Sequence, residues 1–218
     1  MNQIKRQIII GNILAIIGGL LLFSGDMLLY YNGRHTNRLQ NMAVSADWRI
    51  ISSGVLALLA TWFYLFGLIP VYYAFKPDKP WIRHTVVLLF AAILIAYGVV
   101  HGVYTAIATS AKIAYQNHLD ITESSRLAIK VNQTVRLFVY PLFALLSGLF
   151  IYQVWTQKTL YPKWMVFFFP LLPFLLRKPI RNLLQGAALT IISGGYLNLI
   201  LIVFFMASLI ALKNYNTR

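Results

Sequence analysis

The chain contains no cysteine. That excludes disulfides, thiolate metal sites, a cysteine nucleophile and redox-active C-x-x-C pairs. Acid is nearly as scarce, with five Asp and Glu in 218 residues against 19 Lys and Arg. Glu123 is the only glutamate, and the histidines at positions 35, 84, 101 and 118 are scattered. No H-x-x-x-H pair, H-E-x-x-H pair or carboxylate cluster occurs, so a metal site would need long-range assembly. No P-loop occurs either, and the Gly pairs do not sit at a strand-to-helix turn, which argues against an ATP-driven pump. Nothing in the sequence calls for a metal or a cofactor.

Apolar length is what the chain has in excess. Hydrophobic residues make up 59% and charged residues 11%, and the mean hydropathy is +0.69. Soluble domains carry about 45–50% apolar and about 25% charged residues. The surplus lies in runs long enough to cross ~30 Å of hydrocarbon. Six such segments stand out, at about 8–31, 52–75, 85–105, 137–155, 161–176 and 187–212. We therefore expect an all-α, polytopic transmembrane helix bundle of about six spans, with residues 1–218 as a single integral membrane domain. The formal charge of +14 sits between apolar runs, where it suits anionic lipid head groups. No separate basic, aromatic-interleaved domain exists to bind nucleic acid.

The opening "MNQIKRQIII" resembles a signal-peptide n-region, but the apolar stretch after it is too long and lacks an A-x-A end, so the first helix should be a retained span. Tyr30 and Tyr31, Tyr72 and Tyr73, and Tyr161 and Trp164 mark interfaces in the manner of an aromatic belt. Basic residues divide almost evenly between the two sides. Lys5 and Arg6 tip the expectation to cytoplasmic termini in a bacterial inner membrane. The fifth segment, "YPKWMVFFFPLLPFLL", is short and carries Pro162, Pro170 and Pro173. It reads as a tilted, kinked span, with a re-entrant segment as the alternative. Helices three and four should project beyond the bilayer as a hairpin. Asp120, with Glu123 three residues on, should open helix four near Ile121 in the manner of a capping box. Pro141 should bend that helix just inside the bilayer. "IIGG" at 16–19 and "IISGG" at 191–195 read as glycine-softened helices rather than an inverted repeat.

One carboxylate, Asp26, lies inside the first apolar run, in "LLLFSGDMLLYY". At ~1.5 Å per residue it sits ~8 Å inside the interface. Ala15, Gly19 and Leu22 share its face, and small residues there let another helix approach. Antiparallel threading brings His101, Arg49 and Arg136 to the same depth. Tyr97, His101, Tyr104, Thr105 and Lys112 share one face of helix three, a poor surface for lipid. Gly98 and Gly102 beside it permit close packing. Asn198 lies near mid-membrane, where it would hydrogen-bond across helices or line the deep end of a pocket. Ser24, Ser110 and Ser147 are nominal nucleophiles beside an Asp26–His101 pair, although serine is common in membrane helices.

Three stretches, "SGDMLLYY", "ADWRIISSGVLALLATWFYLFGLIPVYYAF" and "YGVVHGVY", resemble an uncharacterised bacterial family of small multi-span membrane proteins. The resemblance covers roughly the first half of the chain. It implies that Asp26, Trp48, Arg49 and His101 belong to the family's characteristic motifs, and it supplies no activity.

Three functions compete. The first is a site near one interface that binds a lipid head group or small amphiphile. There Asp26 and His101 would do acid–base work, and Arg49, Arg136, Tyr97, Tyr104, Thr105, Trp48 and Asn198 would bind the ligand. The second is a small proton-coupled secondary transporter, for which a homodimer would supply the missing size. The third is a structural or accessory subunit in which Asp26 pairs with Arg49 or Arg136 and locks the bundle. The first is favoured, because ionisable groups inside membranes are functional by default.

Overall fold

The computed structural model describes residues 3–31 and 37–213. Its elements are α1 (Gln3–Tyr30), α2 (Arg38–Ala43), α3 (Asp47–Phe66), α4 (Leu68–Ala74), α5 (Pro80–Gln116), α6 (Ile121–Trp155), α7 (Met165–Phe168), α8 (Leu171–Leu175), α9 (Arg177–Leu183) and α10 (Gly186–Leu212). No strand occurs among the described residues. Among the described residues, five helical stretches are long and apolar enough to cross a membrane: α1, the continuous α3–α4 path, α5, α6 and α10. The chain is an all-α integral membrane protein.

The pattern of α3 shows how lipid inverts the usual order. Ile50, Ser53, Ala57, Ala60 and Tyr64 face the bundle. Trp48, Ile51, Val55, Leu58, Trp62 and Phe66, at the same helical spacing, face outward. The outward stripe is the more apolar, because acyl chains solvate Leu and Trp as well as a protein core does. The inward stripe is small, because van der Waals packing drives association there.

Antiparallel neighbours follow from this. Gly11, Gly18 and Gly25 of α1 meet Phe66, Ala60 and Ser53 of α3 in turn. Gly11 is the tightest: a Cβ there would lie 2.7 Å from the Phe66 carbonyl oxygen and 2.7 Å from Pro70. Backbone cannot rotate away as a side chain can. Gly11→Leu should therefore lower stability by about 1–3 kcal/mol through overpacking, read as a lower midpoint in thermal unfolding of the detergent-solubilised protein. An unchanged midpoint would count against this packing.

The hairpin is present. α5 has 37 residues and α6 has 35, so each runs more than ~50 Å against a ~30 Å hydrocarbon slab. Asp120 caps α6, accepting from the backbone N–H groups of Thr122 and Glu123 at 2.7 and 2.9 Å. The reciprocal half of a capping box is replaced, since Glu123 pairs with Arg126 at 3.1 Å. α5 ends on His118 at φ 57°, with Leu119 N–H bonded to Ala114 and His118 N–H to Tyr115, a Schellman stop. α6 stays helical through Pro141.

The segment at 161–176, expected as a tilted, kinked span, is no continuous helix. It is broken into α7 and α8, and Pro170 and Pro173 withhold the N–H groups that would join them. It still runs alongside α10. Tyr161 reaches Ser208 at 2.8 Å, and the Tyr196 hydroxyl donates to the Pro173 carbonyl at 2.8 Å. Those two anchors lie twelve residues apart on α10, or ~18 Å. The Tyr196 bond supplies a protein partner to irregular backbone, as hydrocarbon requires.

Candidate functional site

The buried face of α1 carries Ala15, Gly19, Leu22 and Asp26, and it turns Asp26 toward α5 and α10. The carboxylate is 3% exposed. Its Oδ1 lies 3.0 Å from His101 Nε2, and its Oδ2 accepts from Asn198 Nδ2 at 2.7 Å. His101 Nδ1 lies 2.8 Å from the Tyr97 carbonyl oxygen.

These partners fix the proton inventory. The Tyr97 carbonyl can only accept, so Nδ1 carries a hydrogen. Nε2 then either donates to a carboxylate or accepts from a protonated Asp26. Either way the pair holds one proton between Oδ1 and Nε2, and its net charge is zero.

A cavity of about 110 Å³ opens beside this pair. Ile93, Val100, Val139, Phe143, Phe174 and Leu197 form much of its apolar wall. Tyr30, Tyr97, Tyr104 and Tyr140 add phenols, and Tyr30 meets Tyr104 edge-on at 5.7 Å. Among the described residues, three half-buried arginines also line it: Arg38, Arg136 and Arg177. Arg38 donates to Ser193 Oγ at 2.6 Å and lies 5.1 Å over the Tyr30 ring. Arg136 reaches the Tyr140 hydroxyl at 3.4 Å. Burial, and then the neighbouring Arg136 and Arg38 guanidiniums, hold the Arg177 guanidinium below its usual range. No Asp or Glu side chain pairs with any of the three among the described residues.

Of the residues singled out in the sequence, Asp26, His101, Tyr97, Tyr104, Arg136 and Asn198 meet at this cavity, and Trp48, Arg49 and Thr105 do not. Trp48 is 61% exposed on the outward stripe of α3. Arg49 does not pair with Asp26. It donates to the carbonyl oxygens of Met27 (3.1 Å) and Tyr31, where a cation satisfies the orphan carbonyls that end α1. Thr105 packs against Gly54 of α3 and bonds its own helix at Gly102. Lys112 pairs with Asp47 at 2.5 Å instead of joining the cavity. Ser24, Ser110 and Ser147 lie outside the lining, and Ser193 is the serine that enters it. Gly98 meets Thr61, whereas Gly102 faces open space.

Arg38, Arg177, Tyr30 and Ser193 escaped the reading of the sequence. The one signal available was that both arginines lie in the connections between apolar runs, on the side opposite the termini.

A family model matches residues 1–215, far beyond the half suggested by the short motifs. It describes a family of unknown function, DUF6796. No curated protein and no solved structure matches the chain.

The chain thus belongs to the DUF6796 family.

Proposed function

We propose that this DUF6796 member binds a small amphiphile, or the head group of a lipid, in the cavity between α1, α5, α6 and α10. The Asp26–His101 pair would exchange its proton with the bound polar group. One observation carries the reading: a proton-holding pair, three guanidiniums and an apolar wall share one cavity. A soluble ion has no use for the wall, and an alkane has no use for the arginines. An amphiphile uses both. The Asp26–His101 pair is close enough to the cavity for general acid–base work on a ligand. Lys5 and Arg6 support cytoplasmic termini in a cell membrane, which would put the cavity toward the opposite face.

The test is copurification. Protein taken from native membranes in mild detergent should carry a stoichiometric amphiphile, identified by mass spectrometry of the organic extract. Ala96 of α5 also lines the cavity, and Ala96→Phe, which fills it, should lose that molecule while keeping the thermal midpoint of the native protein within a few degrees. Extracts with no stoichiometric amphiphile, or full retention in Ala96→Phe, would sink the proposal.

A further inference from the structure

We infer that the group this cavity takes is a dianionic phosphate monoester; this rests on the amphiphile reading above and names the class of its head group. Charge comes first. Arginine stays protonated at every accessible pH, so Arg38, Arg136 and Arg177 bring three positive charges to one cavity. The chain has five acidic side chains, and none of them pairs with these arginines. Asp26 is neutralised within its pair with His101. Asp47 holds Lys112, and Glu123 holds Arg126. Asp120 caps α6, and Asp78 accepts from the Lys79 N–H. A carboxylate or phosphodiester head would supply one negative charge and leave most of the excess in a half-buried site. A phosphate monoester supplies about two, since its second pKa is about 6.

Shape agrees with charge. The three guanidiniums arrive on separate elements, α2, α6 and α9, so they reach the cavity from three directions. A planar carboxylate offers two oxygens in one plane, and a phosphodiester offers two free oxygens. A monoester offers three terminal oxygens spread around one phosphorus, which matches three forks of N–H donors. The repulsion from Arg136 and Arg38 that adds to burial in holding the Arg177 guanidinium low would be relieved on binding. The apolar wall from Ile93 to Phe174 and Leu197 lies beside this cationic lining and would take the start of an acyl or isoprenyl chain.

The experiment uses the purified full-length protein in neutral detergent at about pH 8. Phosphatidic acid, phosphatidylglycerol and phosphatidylcholine of one acyl composition are titrated by native mass spectrometry, and inorganic phosphate is titrated by calorimetry. Phosphatidic acid should bind about tenfold tighter than phosphatidylglycerol, with phosphatidylcholine weakest, which corresponds to one additional charge-assisted contact. Arg136→Gln and Arg177→Gln should each weaken phosphatidic acid about tenfold and leave phosphatidylcholine unchanged. Arg177→Lys should recover part of the loss, because it restores charge without the fork. Unchanged thermal midpoints in these variants exclude misfolding.

Equal binding of phosphatidic acid and phosphatidylglycerol would overturn the monoester inference and leave the amphiphile reading standing. Failure of all three lipids would overturn the monoester inference, whereas the amphiphile reading falls only if native extracts also carry no stoichiometric amphiphile. Inorganic phosphate binding as tightly as phosphatidic acid, and lost in the arginine variants, would support the phosphate chemistry while showing that its source is the free ion. Phosphatidic acid binding untouched by either arginine variant would overturn the assignment outright.

Discussion

Asp26→Ala should destabilise the protein by about 3–5 kcal/mol, the usual cost of removing one member of a buried, hydrogen-bonded pair. Two groups lose their hydrogen-bond partner at once: His101 Nε2 and the Asn198 amide. Both are nearly enclosed by protein, His101 at 8% exposed and Asn198 at 1%. Asp26→Asn should behave quite differently. With Tyr97 holding Nδ1 in its protonated form, neutral His101 presents Nε2 as an acceptor. The new amide can donate to Nε2 while its oxygen still accepts from Asn198. Every hydrogen bond survives, so the cost should stay near about 1 kcal/mol or below. Only the stored proton is lost. The pair of variants therefore separates scaffold from chemistry. Thermal unfolding in detergent should rank wild type close to Asp26→Asn and well above Asp26→Ala. Any proton exchange with a bound ligand, followed as proton release on binding in weakly buffered solution, should vanish in Asp26→Asn. A large loss of stability in Asp26→Asn would contradict the proton inventory and leave the cluster as a structural lock.

The parts of this arrangement that could be read in advance are those fixed by a single helix. The face shared by Ala15, Gly19, Leu22 and Asp26 follows from α-helical periodicity, and all four are buried. The start of α6 at Ile121 follows from Asp120, because the cap chemistry is local. The depth of His101 follows from counting residues along an antiparallel span. Which neighbour meets Asp26 was not local. Arg49, Arg136 and His101 stand at similar depth, and the order of helices around the bundle decides among them. That order sends Arg49 to the end of α1 and His101 to the carboxylate. Trp48 lies outside the cavity for another reason. A membrane puts large apolar residues outside, so an aromatic beside a functional motif is as readily a lipid contact as a binding wall. Arg38 and Arg177 reach the cavity on α2 and α9, six and seven residues long. Segments that short carry no hydrophobic period from which a facing side could be inferred.

The broken path between α6 and α10 depends on aromatic packing in place of a continuous hydrogen-bond ladder. Phe150 of α6 is fully buried and stacks on Phe169 at 4.2 Å between ring centroids. It also touches Phe75, Tyr161 and Phe204. Phe169 sits at the break between α7 and α8, where the chain turns extended. One ring on α6 thus holds the joint of a segment whose own backbone is poorly self-supporting. Phe150→Ala should cost about 2–4 kcal/mol. That is below the about 3–5 typical of soluble cores, because part of the transfer gain from water is absent when both states remain in lipid. The loss should also be local in character. Hydrogen exchange should rise across 161–183 and stay low in α1 and α3, whose glycine-mediated contacts do not involve Phe150. Because α9 carries Arg177, the same variant should weaken binding of a phosphate monoester although Phe150 does not line the cavity. Phe150→Leu, which keeps most of the volume, should restore both protection and binding. Uniform exchange throughout the bundle would instead mean that α7–α9 are held by the fold as a whole, and that the aromatic cluster is only one contact among many.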